Sequence, residues 1–153
     1  MPTVTAAEPR PAPLFVAEPS ALWHARRPLV VDCSVVVAAL FEEAEAPDCT
    51  RLLASRALHA PALLPFELAN VARSKSKAGA PAARVQAALQ TFNDLRIELH
   101  RVPTPQLHAL ALDSGLSAYD AAYLWVAAQL QAPLSTLDQR LAEAAQRHLG
   151  AQE

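Results

Sequence analysis

Apolar and polar positions alternate along the chain in two periods. Short solid runs stand out at Leu29-Val30-Val31, Leu58-His59-Ala60 and Pro133 to Thr136, and a looser alternation covers Ile97 to Val102. Between them lie longer stretches in which apolar residues recur every three or four positions: Ser34 to Phe41, Ala46 to Ser55, Pro65 to Ala78, Pro81 to Leu95, Pro103 to Ser114, Ala118 to Leu130 and Asp138 to Leu149. The first period predicts strands and the second helices. Strands that alternate with helices predict an α/β fold, an α/β/α sandwich around a mainly parallel sheet of about four strands.

The punctuation supports these boundaries. Gly79 and Gly115 stop helices, and Pro81, Pro103 and Pro105 suit first turns. The Val35-Val36-Val37 start of the first helical stretch is β-branched, and Ser34 as its cap favours helix over strand. In the third helix Phe66, Leu68, Ala69 and Val71 are expected to face inward. The alternation after Ile97 is imperfect and reads as an edge strand, with Glu98, His100 and Val102 on one face and Ile97, Leu99 and Arg101 on the other.

Residues 1–28 hold Pro2, Pro9, Pro11, Pro13, Pro19 and Pro28, which read as an extended tail whose Leu14-Phe15-Val16 and Leu22-Trp23 clusters can dock on the body or on a partner. One domain is expected over 29–149, with 150–153 as a short C-terminal tail. At 153 residues and 52% hydrophobic content the chain can bury a single core. A net charge of −2 argues against binding nucleic acid by bulk charge. Cys33 and Cys49 form neither a disulfide framework nor a thiolate zinc cluster, which fits a reducing cytoplasm. Apolar runs fall short of the ~20 residues of a membrane span.

The candidate chemistry lies in Asp32, Glu67, Asp120 and Asp138. Asp32 and Asp138 follow strands, and Glu67 and Asp120 open helices, so the rim at the carboxyl ends of the strands is where all four can meet. Each alone has a structural explanation. Asp32 and Asp138 suit helix caps, Glu67 suits an exposed first-turn acid, and Ser117 with Asp120 matches a capping box. As a set, four acids in one cleft repel unless a divalent cation neutralises them, and oxygen-only ligands favour Mg²⁺ or Mn²⁺. Such ions activate water for in-line phosphodiester displacement. Ser34 can hold a bound water or cap the next helix, Asn70 can bond an acid or a phosphate or stand as a surface amide, and Thr136 can support a neighbouring acid. The five histidines show no H-x-x-x-H or H-x-x-E-H spacing, and none is expected to bind metal.

Val31-Asp32-Cys33-Ser34, the run Pro61 to Val71 containing Glu67 and Asn70, Leu116 to Tyr123 around Asp120, and Ser135 to Leu141 around Asp138 resemble, in order, the motifs of PIN-domain ribonucleases, above all the VapC-type toxins of toxin–antitoxin pairs. The resemblance implies an endoribonuclease whose acids at Asp32, Glu67, Asp120 and Asp138 bind Mg²⁺ or Mn²⁺. It also implies a homodimer, tRNA or ribosomal RNA targets, and a cognate antitoxin that fills the cleft. The chain differs in its proline-rich start and in lacking a further short strand after the last helix. Arg73, Lys75, Lys77 and Arg84 are candidates to meet RNA phosphates, the alternative being a solvated helix face. Tyr119, Tyr123 and Trp125 suit core or dimer surface. A catalytically silent PIN-like binding module would lack one of the acids, and a housekeeping RNA-processing nuclease would share them.

Overall fold

Four short strands make one parallel sheet: β1 (Pro28–Val31), β2 (Ala57–Pro61), β3 (Glu98–His100) and β4 (Leu134–Ser135), in the order β3-β2-β1-β4. The protein's structure, a computed structural model, describes residues 26–150. Residues 1–25 of the expected tail, with its Leu14-Phe15-Val16 and Leu22-Trp23 clusters, lie outside them, and Pro28, expected at the end of that tail, is instead the first residue of β1, paired with Ala57.

Leu29, Val30 and Val31 of β1 are all buried, as a strand covered on both faces requires. Its neighbours are set by register: Val30 pairs with His59 of β2 on one side and with Leu134 of β4 on the other. The chain therefore leaves β1 in one direction to reach β2 and β3, and returns to the far side of β1 for β4. That reversal opens a crevice beyond the carboxyl ends of β1 and β4.

The helices form two packed groups. Helices α1 (Cys33–Leu40), α2 (Ala46–Ser55), α3 (Leu64–Lys77) and α4 (Ala82–Asp94) pack through α1, which touches each of the other three. Helix α6 (Ala118–Leu130) lies across β1, β2 and β4, with α5 (Thr104–Ser114) and α7 (Gln139–Leu149) beside it. Its residues Ala121, Ala122, Tyr123, Leu124, Val126 and Ala127 are all buried. A helix with almost no polar face belongs at the centre of a domain. Gly115 ends α5 at φ 69°, a left-handed turn that only glycine adopts without strain.

Two local expectations are corrected. Helix α1 starts one residue earlier than expected, and its cap is Asp32, not Ser34: the Asp32 carboxylate accepts the Ser34 backbone N–H at 3.4 Å. Phe66 and Ala69 do not face inward. Phe66 is 74% exposed, because the buried stripe of α3 runs through Leu64, Leu68 and Ala72 at i, i+4, i+8 and leaves Phe66 on the opposite side.

Candidate active site

The crevice is an open cleft of about 980 Å³. Asp32, Glu67, Asp120 and Asp138 all line it, with Ser34 and Asn70. The fold thus brings together the four acids singled out in the sequence, from the end of β1, the first turn of α3, the first turn of α6 and the residue before α7.

Asp32 is the one buried polar or charged side chain among the described residues, at 7% exposure. Burying a carboxylate is costly unless hydrogen bonds replace water. Here all of them fall on Oδ2, which accepts from the Ser34 hydroxyl at 2.6 Å, the Thr136 hydroxyl at 2.9 Å and the Ser34 N–H. Oδ1 receives no protein donor. Since no buried side-chain oxygen among the described residues lacks a partner, Oδ1 must be open to the cleft.

The same two hydroxyls fix the β4–α7 loop. Ser34 Oγ accepts the N–H of Leu137, and Thr136 Oγ1 accepts the N–H of Asp138, both at 2.9 Å. Each hydroxyl hands its proton to Asp32 and takes one from the backbone beside Asp138, so the two acids are held to one another through a short relay. Asp138, exposed, accepts the Leu141 N–H at 2.8 Å and caps α7. The Ser117 hydroxyl accepts the Asp120 N–H at 3.1 Å and donates to its carboxylate at 2.8 Å. Capping and cleft membership therefore coincide in Asp32 and Asp138, whereas Asp120 stands in the first turn of α6 behind its cap Ser117. A cap or first-turn acid lies at a helix N-terminus, and the N-termini of α1, α3, α6 and α7 meet here.

Glu67 behaves differently. It is half-buried, and its Oε2 accepts a hydrogen bond from the Tyr123 hydroxyl, fifty-six positions away on α6. Burial first, and then the charges of Asp32 and Asp120, push the Glu67 carboxyl above its ordinary value, while the Tyr123 bond works against them. Burial also pushes the Cys33 thiol up to about 12, with Glu67 and Asp32 adding to the effect. Cys33 is accordingly an inert thiol that packs under the cleft, not a nucleophile.

Tyr123 behind the cleft, and Glu43 and Glu45 at its mouth, were not singled out by the sequence as part of the site. Tyr123, expected as core or dimer surface, is fully buried yet carries the hydroxyl that holds Glu67; its place one turn after Asp120 on the same helix was the available signal. Glu43 and Glu45 line the mouth, and the acidic run Glu42-Glu43-Ala44-Glu45 straight after α1 foreshadowed them. Of the candidate RNA-contacting residues, Lys75 pairs with Glu43 at 2.9 Å and stacks its ammonium 4.9 Å from the Phe41 ring, and Arg84 pairs with Glu42 at 3.1 Å. Arg73 and Lys77 are exposed and make no ion pair among the described residues.

The donor set fits a hard divalent cation. Asp32 Oδ1 is open to the cleft, all the candidate ligands are oxygens, and the mutual repulsion felt by Glu67 is the kind that a cation relieves. The oxygens stand apart: no three of the four acids bring ligand atoms within 4.8 Å of one another.

Comparison with known proteins agrees with the fold. The PIN-domain family model matches residues 29–147. Ribonuclease VapC9 of Mycobacterium tuberculosis is 34% identical over 121 residues, which cover 77% of this chain and 91% of the relative. Ribonuclease VapC3 of Pyrobaculum aerophilum is 29% identical over 121 residues, covering 75% and 92%. Among solved structures, PAE2754 from Pyrobaculum aerophilum superposes with a TM-score of 0.61 at 21% identity, covering 82% of this chain and 91% of that one, and so shares the fold. With the family model matching residues 29–147 of the described 26–150, the chain belongs to the PIN-domain family.

Proposed function

We propose that the protein is a metal-dependent endoribonuclease and the toxin of a toxin–antitoxin pair. The observation that carries this reading is the convergence of Asp32, Glu67, Asp120 and Asp138 on one open cleft, with Asp32 held by one oxygen and presenting the other. The relatives named as VapC ribonucleases support RNA as substrate.

In this reading the four carboxylates hold Mg²⁺ or Mn²⁺, which when bound supplies the Lewis acidity that hydrolysis of a phosphodiester needs. The remaining work falls to the chain itself. Ser34 and Thr136 orient Asp32 and tie the Asp138 loop to it. The Tyr123 hydroxyl fixes Glu67 by Oε2 and so aims the other oxygen. Asn70, one turn beyond Glu67, offers an amide to a phosphate oxygen. Phe66 and Tyr119, 74% and 66% exposed at the cleft, offer faces on which unpaired bases stack. With Leu137 they also form an apolar rim that suits the segment of an antitoxin.

The test uses purified full-length chain stripped of metal by a chelator and incubated with total RNA. Cleavage should return on addition of Mg²⁺ or Mn²⁺ and be abolished by Asp32→Asn and by Asp120→Asn, which should also relieve growth arrest on expression. Equal cleavage without metal, or undiminished activity in either variant, overturns the reading.

A further inference from the structure

The tightest gathering of metal-binding groups among the described residues is not in the acidic cleft. His59 of β2 and Glu98 and His100 of β3 bring a ligand atom each within 4.8 Å of one another. Register explains this. His59 pairs with Glu98, and His100 follows two residues later on the same face of β3, so three side chains from two adjacent strands rise from one side of the sheet. Sequence spacing within a helix cannot reveal such a set, because His59 and His100 lie on different strands.

The geometry is close to that of a metal site. His59 Nδ1 and His100 Nε2 are 3.0 Å apart, and the two Glu98 oxygens stand 3.6 Å from the first and 3.8 Å from the second. Ligand atoms about 2.0 Å from a tetrahedral zinc are roughly 3.3 Å apart, so the ring nitrogens need to part by only a few tenths of an ångström and the carboxylate to close by slightly more. The two imidazole side chains are 14% and 22% exposed, whereas Glu98 is 68% exposed and free to make that adjustment. A 3.0 Å contact between two ring nitrogens pairs a donor with an acceptor, so a lone pair of the kind a metal takes already faces the space between them.

We propose that His59, Glu98 and His100 form a second metal site, selective for borderline cations of the zinc class and separate from the acidic cleft, none of whose lining residues they include. Two imidazoles and one carboxylate favour such ions over Mg²⁺, and three protein ligands leave a fourth position open. A bound ion clamps the three-residue edge strand β3 to β2. That edge otherwise has few means of holding on: Glu98 and Leu99 are exposed, and β3 has a sheet partner on one side alone.

The experiment titrates ZnCl₂ into chelator-stripped full-length chain by calorimetry, with parallel melting curves. The wild type should bind zinc and melt at higher temperature with it. His100→Ala should weaken binding by more than about 100-fold, beyond the loss expected when a group that merely orients a ligand is removed. Glu98→Gln, an exposed change that leaves the fold intact, should weaken it as well and remove most of the melting shift. Asp120→Asn, which disables the acidic cleft, should leave zinc affinity unchanged. The proposal is overturned if the wild type takes up no zinc, if the Glu98 and His100 variants bind it as the wild type does, or if zinc is lost in Asp120→Asn alone.

Discussion

Thr136 donates its hydroxyl to the buried Oδ2 of Asp32 at 2.9 Å, and with its own oxygen receives the N–H of Asp138, so one side chain fastens the tip of β1 to the loop that leads into α7. Hydrogen bonds to a charged group contribute about 1.5–3 kcal/mol, more than neutral ones. Thr136→Val keeps the shape and removes both bonds. It should lower stability by about that amount in urea denaturation and weaken cation binding at the cleft, whereas Thr136→Ser should recover most of both. Equal stability of the valine variant would mean that the bond contributes nothing.

The pH dependence of the metal-free protein should carry the mark of Glu67. Its carboxyl is raised above the ordinary value of 4.5 by burial and by Asp32 and Asp120, so the folded chain holds that proton more tightly than the unfolded chain. Its contribution to stability is then fully present below the ordinary value and is lost as pH rises through the raised one. Glu67→Gln should flatten this decline in melting curves taken without metal across the mildly acidic range. A saturating divalent cation should remove it in the wild type. If wild type and variant decline in parallel, Glu67 does not feel its neighbours.

Charge reversal separates RNA contact from structural pairing on α3. Arg73→Glu with Lys77→Glu, at exposed positions outside any ion pair among the described residues, should leave stability within about 0.5 kcal/mol and weaken RNA binding with a shallower salt dependence. Lys75→Ala should behave oppositely, since it removes the Glu43 pair and the stacking on Phe41. Binding that survives the double reversal, with the same salt slope, would place the RNA path elsewhere.

What the sequence disclosed and what it withheld divide along a physical line. Solid apolar runs and helix-period stripes located the four strands and seven helices of the described residues, because burial leaves its period in the residues themselves. The same rule marked the strand-end and first-turn acids. Contacts between distant elements left no such period. The Tyr123–Glu67 bond joins two helices, and the pairing of Lys75 and Arg84 with Glu43 and Glu42 joins helices to a loop. Phe66 was misplaced because an exposed aromatic beside Leu68 looks like core to any count of apolar residues, and only the actual stripe through Leu64, Leu68 and Ala72 decides it. Each acid also had a structural reading as a cap, a first-turn acid or a capping-box partner, and for Asp32 and Asp138 the cap and the place in the cleft are the same arrangement.

The central claim is that these carboxylates share a cation. The most direct measurement is the shift in melting temperature of the full-length chain as Mg²⁺ is added, compared between wild type, Asp32→Asn and Asp120→Asn. The charges of Asp32 and Asp120 bear on Glu67 in the metal-free fold, so the wild type should gain stability with Mg²⁺, and each variant should gain little, with Asp120→Asn starting from a higher melting temperature because one repelling charge is gone. A Mg²⁺ response of equal size in all three proteins would contradict the account.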